Sequence, residues 1–146
     1  MNIAFFLTLK KDVAYLYDDY SIRQALEKMR HHGYQTIPVI DRQGKYVGTV
    51  SEGDFLWYML DESITDTDGV SIYDAEDLKL RRILHNNRYV TARITATMQE
   101  LFEAAEKQNF VPVVDDQGTF IGIVTRKQII HHFIESQVAK TSAHQD

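Results

Sequence analysis

Two short stretches carry side chains of the type and spacing to hold a polar ligand. In Gly48-Thr49-Val50-Ser51-Glu52-Gly53-Asp54 a hydroxyl is followed three residues later by a carboxylate. In Gly122-Ile123-Val124-Thr125-Arg126-Lys127-Gln128 a hydroxyl is followed by a carboxamide. Each stretch links an apolar strand-like run to an apolar helical run, so each hydroxyl stands where a helix begins. Two readings are open. S-x-x-D and T-x-x-Q both serve as helix caps. Alternatively, the free amides of the helix starts and the hydroxyls of Ser51 and Thr125 hold a phosphate, while Asp54 accepts two hydrogen bonds from a ribose cis-diol. Arg126 and Lys127 bear on the choice. Two cations in a first turn oppose the helix dipole at roughly 0.3–1 kcal/mol each when exposed, and a bound anion would reverse that cost. Glu52 suits the dipole and repels phosphate. The two stretches therefore read as specialised, with Asp54 for sugar and Arg126 and Lys127 for phosphate. A base needs a flat apolar slot beside backbone hydrogen-bonding groups; Val13, Ala14, Thr36, Ile37 and Pro38 can form it. Tyr34 and Phe110 are lids for such a slot or, more simply, core plugs.

The elements that must position these residues form a repeat. Pro38 aligns with Pro112, Asp41 with Asp115, Gly44 with Gly118, Gly48 with Gly122, Ser51 with Thr125 and Asp54 with Gln128, at a constant offset of 74 residues. Ser21-Ile22-Arg23-Gln24 and Thr97-Met98-Gln99-Glu100 each have the form of a capping box. Behind them, Ile22, Ala25, Leu26 and Met29 continue one apolar helical face, as do Met98, Leu101, Phe102 and Ala105. Gly33 ends the first helix and Asn109 takes its place in the second, both tolerant of the left-handed conformation. Val13–Leu16 and Val90–Ala92 read as entering strands. Pro38, lacking a donor, belongs at a strand's beginning or at a sheet edge. After each junction, Phe55, Leu56, Met59 and Leu60, and then Ile129, Ile130, Phe133 and Ile134, are expected on the core faces of helices. Each unit is thus β-α-β-β-α. Two such units packed sheet to sheet give a mixed α/β (α+β) body with a cleft on its pseudo-two-fold axis, and deleting either half should unfold the other.

The expected boundaries are 1–62 for an N-terminal arm and first unit, 63–88 for a connector, 89–138 for the second unit and 139–146 for a flexible tail. The connector runs from acidic (residues 61–77) to basic, with a helix near 74–85 ended by Asn86-Asn87. Its charge change reads as a solvated loop and helix, or as a partner or phosphate surface.

Composition narrows the function. The 146 residues are 44% hydrophobic and 25% charged, with a formal charge of −5, which argues against broad nucleic-acid binding. With no cysteine, disulfides, thiol catalysis and cysteine-rich zinc sites are excluded. Lysines follow rather than precede the apolar Ile3–Leu9 run, unlike a signal peptide, and no stretch approaches the roughly 20 apolar residues of a membrane span; a cytoplasmic protein without membrane partners is expected. Phe5, Phe6 and Leu7 are expected to pack on a partner or, more simply, to dock on the protein's own body. His31-His32 and His131-His132 are adjacent pairs rather than an i,i+4 ligand pair, and neither a Walker A loop nor G-x-G-x-x-G is present. Ser51 and Asp54 have no histidine partner with which to form a nucleophile–base–orienter set. Neither catalysis nor a metal site is expected.

The stretches YQTIPVIDRQGKYVGTVSEGDF and FVPVVDDQGTFIGIVTRKQI, each preceded by a capped helix, resemble a tandem pair of cystathionine-beta-synthase-type (CBS) domains, a Bateman module, over roughly residues 10–136. The resemblance implies that the hydroxyl of Ser51 meets a phosphate and Asp54 a ribose. Thr125 matches the hydroxyl position, whereas Gln128 departs from the aspartate. It further implies binding of AMP, ADP, ATP or cyclic di-AMP as a regulatory ligand rather than a cofactor, side-by-side homodimerisation, and signalling to an effector protein that the sequence does not identify. The shortened FVPVV entrance and TRK junction are similar to stand-alone bacterial members that sense cyclic di-AMP. The alternative is a structural or interaction homodimer with no nucleotide ligand.

Overall fold

Both capping boxes form. In a computed structural model describing residues 3–65, 78–84 and 89–144, the Ser21 hydroxyl accepts from Gln24 N at 3.1 Å and Ser21 N donates to the Gln24 side-chain Oε1 at 2.9 Å. Thr97 and Glu100 reciprocate in the same way. Such a cap is worth about 1 kcal/mol. The order is β1 (Thr8–Leu9), β2 (Leu16–Tyr17), α1 (Ile22–His32), β3 (Thr36–Ile40), β4 (Tyr46–Ser51), α2 (Glu52–Thr65), α3 (Met98–Lys107), β5 (Phe110–Val114), β6 (Phe120–Thr125) and α4 (Arg126–His144), with short 3-10 turns at Ile3–Phe5, Lys10–Asp12 and Leu80–Ile83. Both β-α-β-β-α units of a mixed α/β fold are therefore present. In the second unit the entering strand is reduced to a single parallel bridge, Ala92 to Val113.

The chain divides into two bodies, Ala14–Tyr89 with Gln117–Phe120, and Met1–Val13 with Val90–Asp116 and Ile121–Asp146. The first holds the sheet β2-β3-β4, with β2 parallel and β4 antiparallel to β3. Leu16, Ile22, Ala25, Met29, Ile37, Val39, Val50 and Phe55 fill its core. Pro38 departs from the expectation of an edge position, because β3 is the central strand. It is tolerated there because β2 is only two residues long and pairs with Val39 and Ile40, so nothing in β2 requires a donor from position 38. The Gln117–Phe120 turn joins this body: Tyr46 N donates to the Gly118 carbonyl and Phe120 N to the Gly44 carbonyl.

The second body holds the sheet β1-β6-β5. The arm at the start of the chain, expected with the first unit, is found in this body. Ile3 is buried in its core with Leu101, Val111, Val113, Val124 and Ile129, and Thr8 and Leu9 pair antiparallel with Ile123 and Gly122. Gly122 is required there, since a Cβ would run into the Thr8 carbonyl.

Several expectations change. The first entering strand begins at Leu16 rather than Val13, where a 3-10 turn closes. Asn109 does not take a left-handed conformation; Gln108 ends α3 in extended backbone and turns its side chain inward. Of the four residues expected on the core face of α2, Phe55 is buried and Met59 half-buried, whereas Leu56 and Leu60 are exposed; Trp57 beside them is 67% exposed. On α4, Ile129 is buried while Ile130, Phe133, Ile134 and Val138 are exposed. Both helices thus carry apolar outer faces. Helix α4 also runs through to His144, beyond the expected start of the tail. In the connector, Leu80–Ile83 form a 3-10 turn; residues 66–77 and 85–88, including Asn86-Asn87 and most of the acidic stretch, lie outside the described residues.

Candidate functional site

In the first body, strand register gathers six of the residues singled out in the sequence. Thr36 pairs with Ser51 across β3 and β4, and the Glu52 amide that opens α2 donates to the Gln35 carbonyl. Leu16 pairs with Val39, so parallel register sets Ala14, two residues earlier, beside Ile37 and ahead of Pro38. Ala14 is half-buried, and the Ile37 side chain belongs to the core while its backbone pairs with Val50 across β3 and β4. Val13 falls in the other body, its amide closing the 3-10 turn onto Lys10.

Ser51 and Asp54 do cap α2. Ser51 N donates to Asp54 Oδ2 at 2.8 Å, and Asp54 N donates to Ser51 Oγ at 3.2 Å. Capping consumes one carboxylate oxygen. Asp54 is exposed, and among the described residues its Oδ1 takes no hydrogen bond. The cap and ligand readings are therefore compatible, because the cap fixes the carboxylate and leaves an acceptor facing outward.

The second body repeats the junction with different consequences. Gln128 N donates to Thr125 Oγ1, while Gln128 Oε1 accepts from both Thr125 N (2.8 Å) and Thr125 Oγ1 (3.0 Å). The Gln128 Nε2 reaches Thr8 Oγ1 on the arm at 3.1 Å. Here the carboxamide is engaged at both ends. Arg126 N donates to the Asn109 carbonyl, matching Glu52 and Gln35, and Arg126 Nε donates to the Ala105 carbonyl at 2.8 Å. The last turn of α3 thus supplies a partner at a negative helix end, and the dipole cost inferred from sequence is offset without an anion. Arg126 also borders an open groove of about 390 Å³ between α3 and α4, lined mainly by Phe102, Ala105, Ile129, Ile130 and Phe133. Lys127 is exposed and makes no ion pair among the described residues. Asp54 lies in one body and Arg126 in the other.

Gln108 was not singled out from the sequence, yet it is one of the few buried polar residues, 4% exposed. Its Oε1 accepts from Val90 N at 2.9 Å, and its Nε2 donates to the carbonyls of Val90 (2.8 Å) and Phe110 (2.9 Å). The signal was a polar residue set between a helix and an apolar strand four residues ahead of Pro112. Parity explains its task. Ala92 N donates to the Pro112 carbonyl and Val114 N to the Ala92 carbonyl, so the nitrogen of Pro112, which has no hydrogen, faces the Val90 position. Gln108 supplies the donor that the proline cannot.

Tyr34 is exposed and stacks on His32, while Phe110 is a core residue. Burial pushes the Tyr46 hydroxyl up to about 12, with Thr49 Oγ1 at 2.6 Å, so this phenol stays protonated near neutral pH. His131 meets Glu135 and His132 stacks on Phe6. Among the described residues no three His, Asp or Glu side chains are grouped to hold a metal, and no helix is long and apolar enough to cross a membrane.

A family model described as CBS domain matches residues 7–61 and 76–135. The A-adding tRNA nucleotidyltransferase of Aquifex aeolicus is 32% identical over 112 residues, covering 75% of this chain; the match spans only 12% of that enzyme's length. Among solved structures, CbpB in complex with c-di-AMP superimposes with a TM-score of 0.84 at 24% identity, covering 99% of this chain and 91% of that one. CbpB from Streptococcus agalactiae does so with a TM-score of 0.80 at 25% identity, covering 94% and 82%.

Proposed function

The chain belongs to the CBS-domain family, whose tandem pairs are non-catalytic regulatory modules, and on that premise we propose that it binds an adenine nucleotide and passes the signal to another protein. The observation that carries this reading is the α2 junction, where the capping box fixes Asp54 while leaving Oδ1 outward, beside Ser51 and Thr36. Asp54 takes the ribose hydroxyls; the Ser51 hydroxyl and the Gly53 amide take a phosphate oxygen. Ala14, Thr36, Ile37 and Pro38 take the base. Arg126 and Lys127, beside a Thr125 whose donors are turned to Gln128, supply phosphate-binding cations in the second body, Arg126 through the guanidinium nitrogens not committed to Ala105. The ligand is AMP, ADP, ATP or cyclic di-AMP, the last supported by the c-di-AMP complex of CbpB. Such a ligand places the protein in the cytoplasm.

The signal leaves through association. Leu56, Trp57 and Leu60 on α2, and Ile130, Phe133, Ile134 and Val138 on α4, form exposed apolar helix faces suited to a second copy of the chain. An effector protein then reads the assembled state, which requires the nucleotide to favour one arrangement by about 1–3 kcal/mol. The same faces also serve the alternative of a homodimer that needs no ligand. Calorimetric titration with the four nucleotides separates the two: heat that saturates for at least one and fades on substitution of Asp54 supports regulation, and a flat response to all four leaves the ligand-free dimer.

A further inference from the structure

We infer that Gln108 is a built-in stand-in for an adenine base, which fills the base position of the second unit and leaves only the first unit able to accept one. The inference rests on the adenine-nucleotide reading and determines where the base goes and how many bind. An adenine edge offers an acceptor nitrogen beside the N6 amino donor, the same adjacent pair that a carboxamide offers. Extended backbone presents the matching N–H and C=O from one residue. At Val90 that pair is already taken, N–H by Gln108 Oε1 and C=O by Gln108 Nε2. The position corresponding to Val90 in the first unit is Ala14: Ala92 pairs with Val113 and Leu16 with Val39, and each residue lies two places earlier. Among the described residues, neither the amide nor the carbonyl of Ala14 makes a hydrogen bond.

The difference comes from how each first helix ends. Helix α1 leaves through Gly33 at φ 71° into a connector of residues 33–35, and Tyr34 is carried to the surface. Helix α3 ends without a left-handed residue, through residues 108 and 109 alone, and the extended backbone of Gln108 (φ −139°) directs its side chain inside. A second, independent feature closes the same unit. The ribose position holds Gln128, whose Oε1 is spent on Thr125 and whose Nε2 is spent on Thr8. Both the base and the sugar positions of the second unit are thus occupied by the protein's own side chains. In the first unit the equivalent groups, Ala14 and one oxygen of Asp54, take no hydrogen bond among the described residues.

The test is a titration of the full chain with AMP, read by calorimetry and by backbone amide NMR. The expected result is one AMP per chain, with the Ala14 amide shifted, the Val90 amide unmoved, and the Gln108 carboxamide protons still slow to exchange at saturation. Gln108→Ala together with Gln128→Asp should raise the stoichiometry to two and bring the Val90 amide into the set that shifts. Two AMP per wild-type chain, or a shifted Val90 amide with released Gln108 protons, would overturn the inference and leave nucleotide binding standing. A variant that folds, as judged by its amide spectrum, yet still binds one AMP also counts against it. Absence of binding by AMP, ADP, ATP and cyclic di-AMP alike would remove the nucleotide reading and this inference together.

Discussion

Replacing Asp54 with alanine separates its two roles, because they differ in size and in what measures them. The cap loses one of two reciprocal bonds, Ser51 N to Oδ2, while the Ser51 hydroxyl still accepts from the amide at position 54. On an exposed helix start this costs about 0.5–1 kcal/mol, a drop of roughly 2–4 °C in Tm for a chain of this size. The ligand role involves an ionised acceptor on a hydroxyl, and such bonds are worth about 1.5–3 kcal/mol, so the Kd for AMP should rise roughly 10- to 150-fold. Calorimetry of both proteins with AMP and 2′-deoxy-AMP makes the assignment specific. The parent protein should prefer AMP by about tenfold, the worth of one hydrogen bond, and the Asp54→Ala variant should lose that preference. An Asp54→Ala protein that is slightly less stable but binds AMP as tightly as the parent would show that the carboxylate only caps α2, and the assignment of the ribose to it would fall.

Other outcomes follow from the same geometry. Gly122→Val drives a side chain into the Thr8 carbonyl, so it should cost about 1–3 kcal/mol by thermal melting, with faster hydrogen exchange at Thr8 and Leu9; unchanged exchange there would mean the arm does not pair with β6. Tyr46 is held protonated to about pH 12 by burial, whereas an unfolded tyrosine ionises near 10. The unfolded state therefore releases its proton first, and this contribution to stability is whole below pH 10 and is lost as pH climbs toward 12; Tyr46→Phe should flatten that alkaline decline in a pH series of denaturant melts. Trp57→Glu combined with Ile134→Glu charges both apolar helix faces; if these faces form the proposed dimer, sedimentation should give twice the chain mass for the parent and the single-chain mass for the variant, and equal masses would remove these faces from the interface.

How far the sequence could be read depended on whether a feature is local. The capping boxes at Ser21 and Thr97 are written in four consecutive residues and appear as expected, as does the left-handed Gly33. The repeat likewise announced both β-α-β-β-α units, and register then brought Ala14, Thr36, Ser51 and Asp54 into one body. Non-local pairings were not legible. The arm before Lys10 reads as part of the first unit because it precedes it, but its strand completes the sheet of the second, where Gly122 leaves room for it. Leu56, Leu60, Ile130 and Ile134 have the spacing of a core face, and periodicity cannot tell a face turned to the protein's own interior from one left exposed. Arg126 looked like a cation awaiting an anion because its partner, the Ala105 carbonyl, is backbone and carries no sequence signal. Gln108 was missed for a similar reason, since it serves a backbone pair that a proline on the facing strand leaves unmatched.

The central claim is that this CBS-domain chain is built to hold an adenine nucleotide at the start of α2. Calorimetric titration of the unaltered protein with AMP, ADP, ATP and cyclic di-AMP tests it most directly. The account predicts saturable heat for at least one of them, and no heat from any of the four would contradict it.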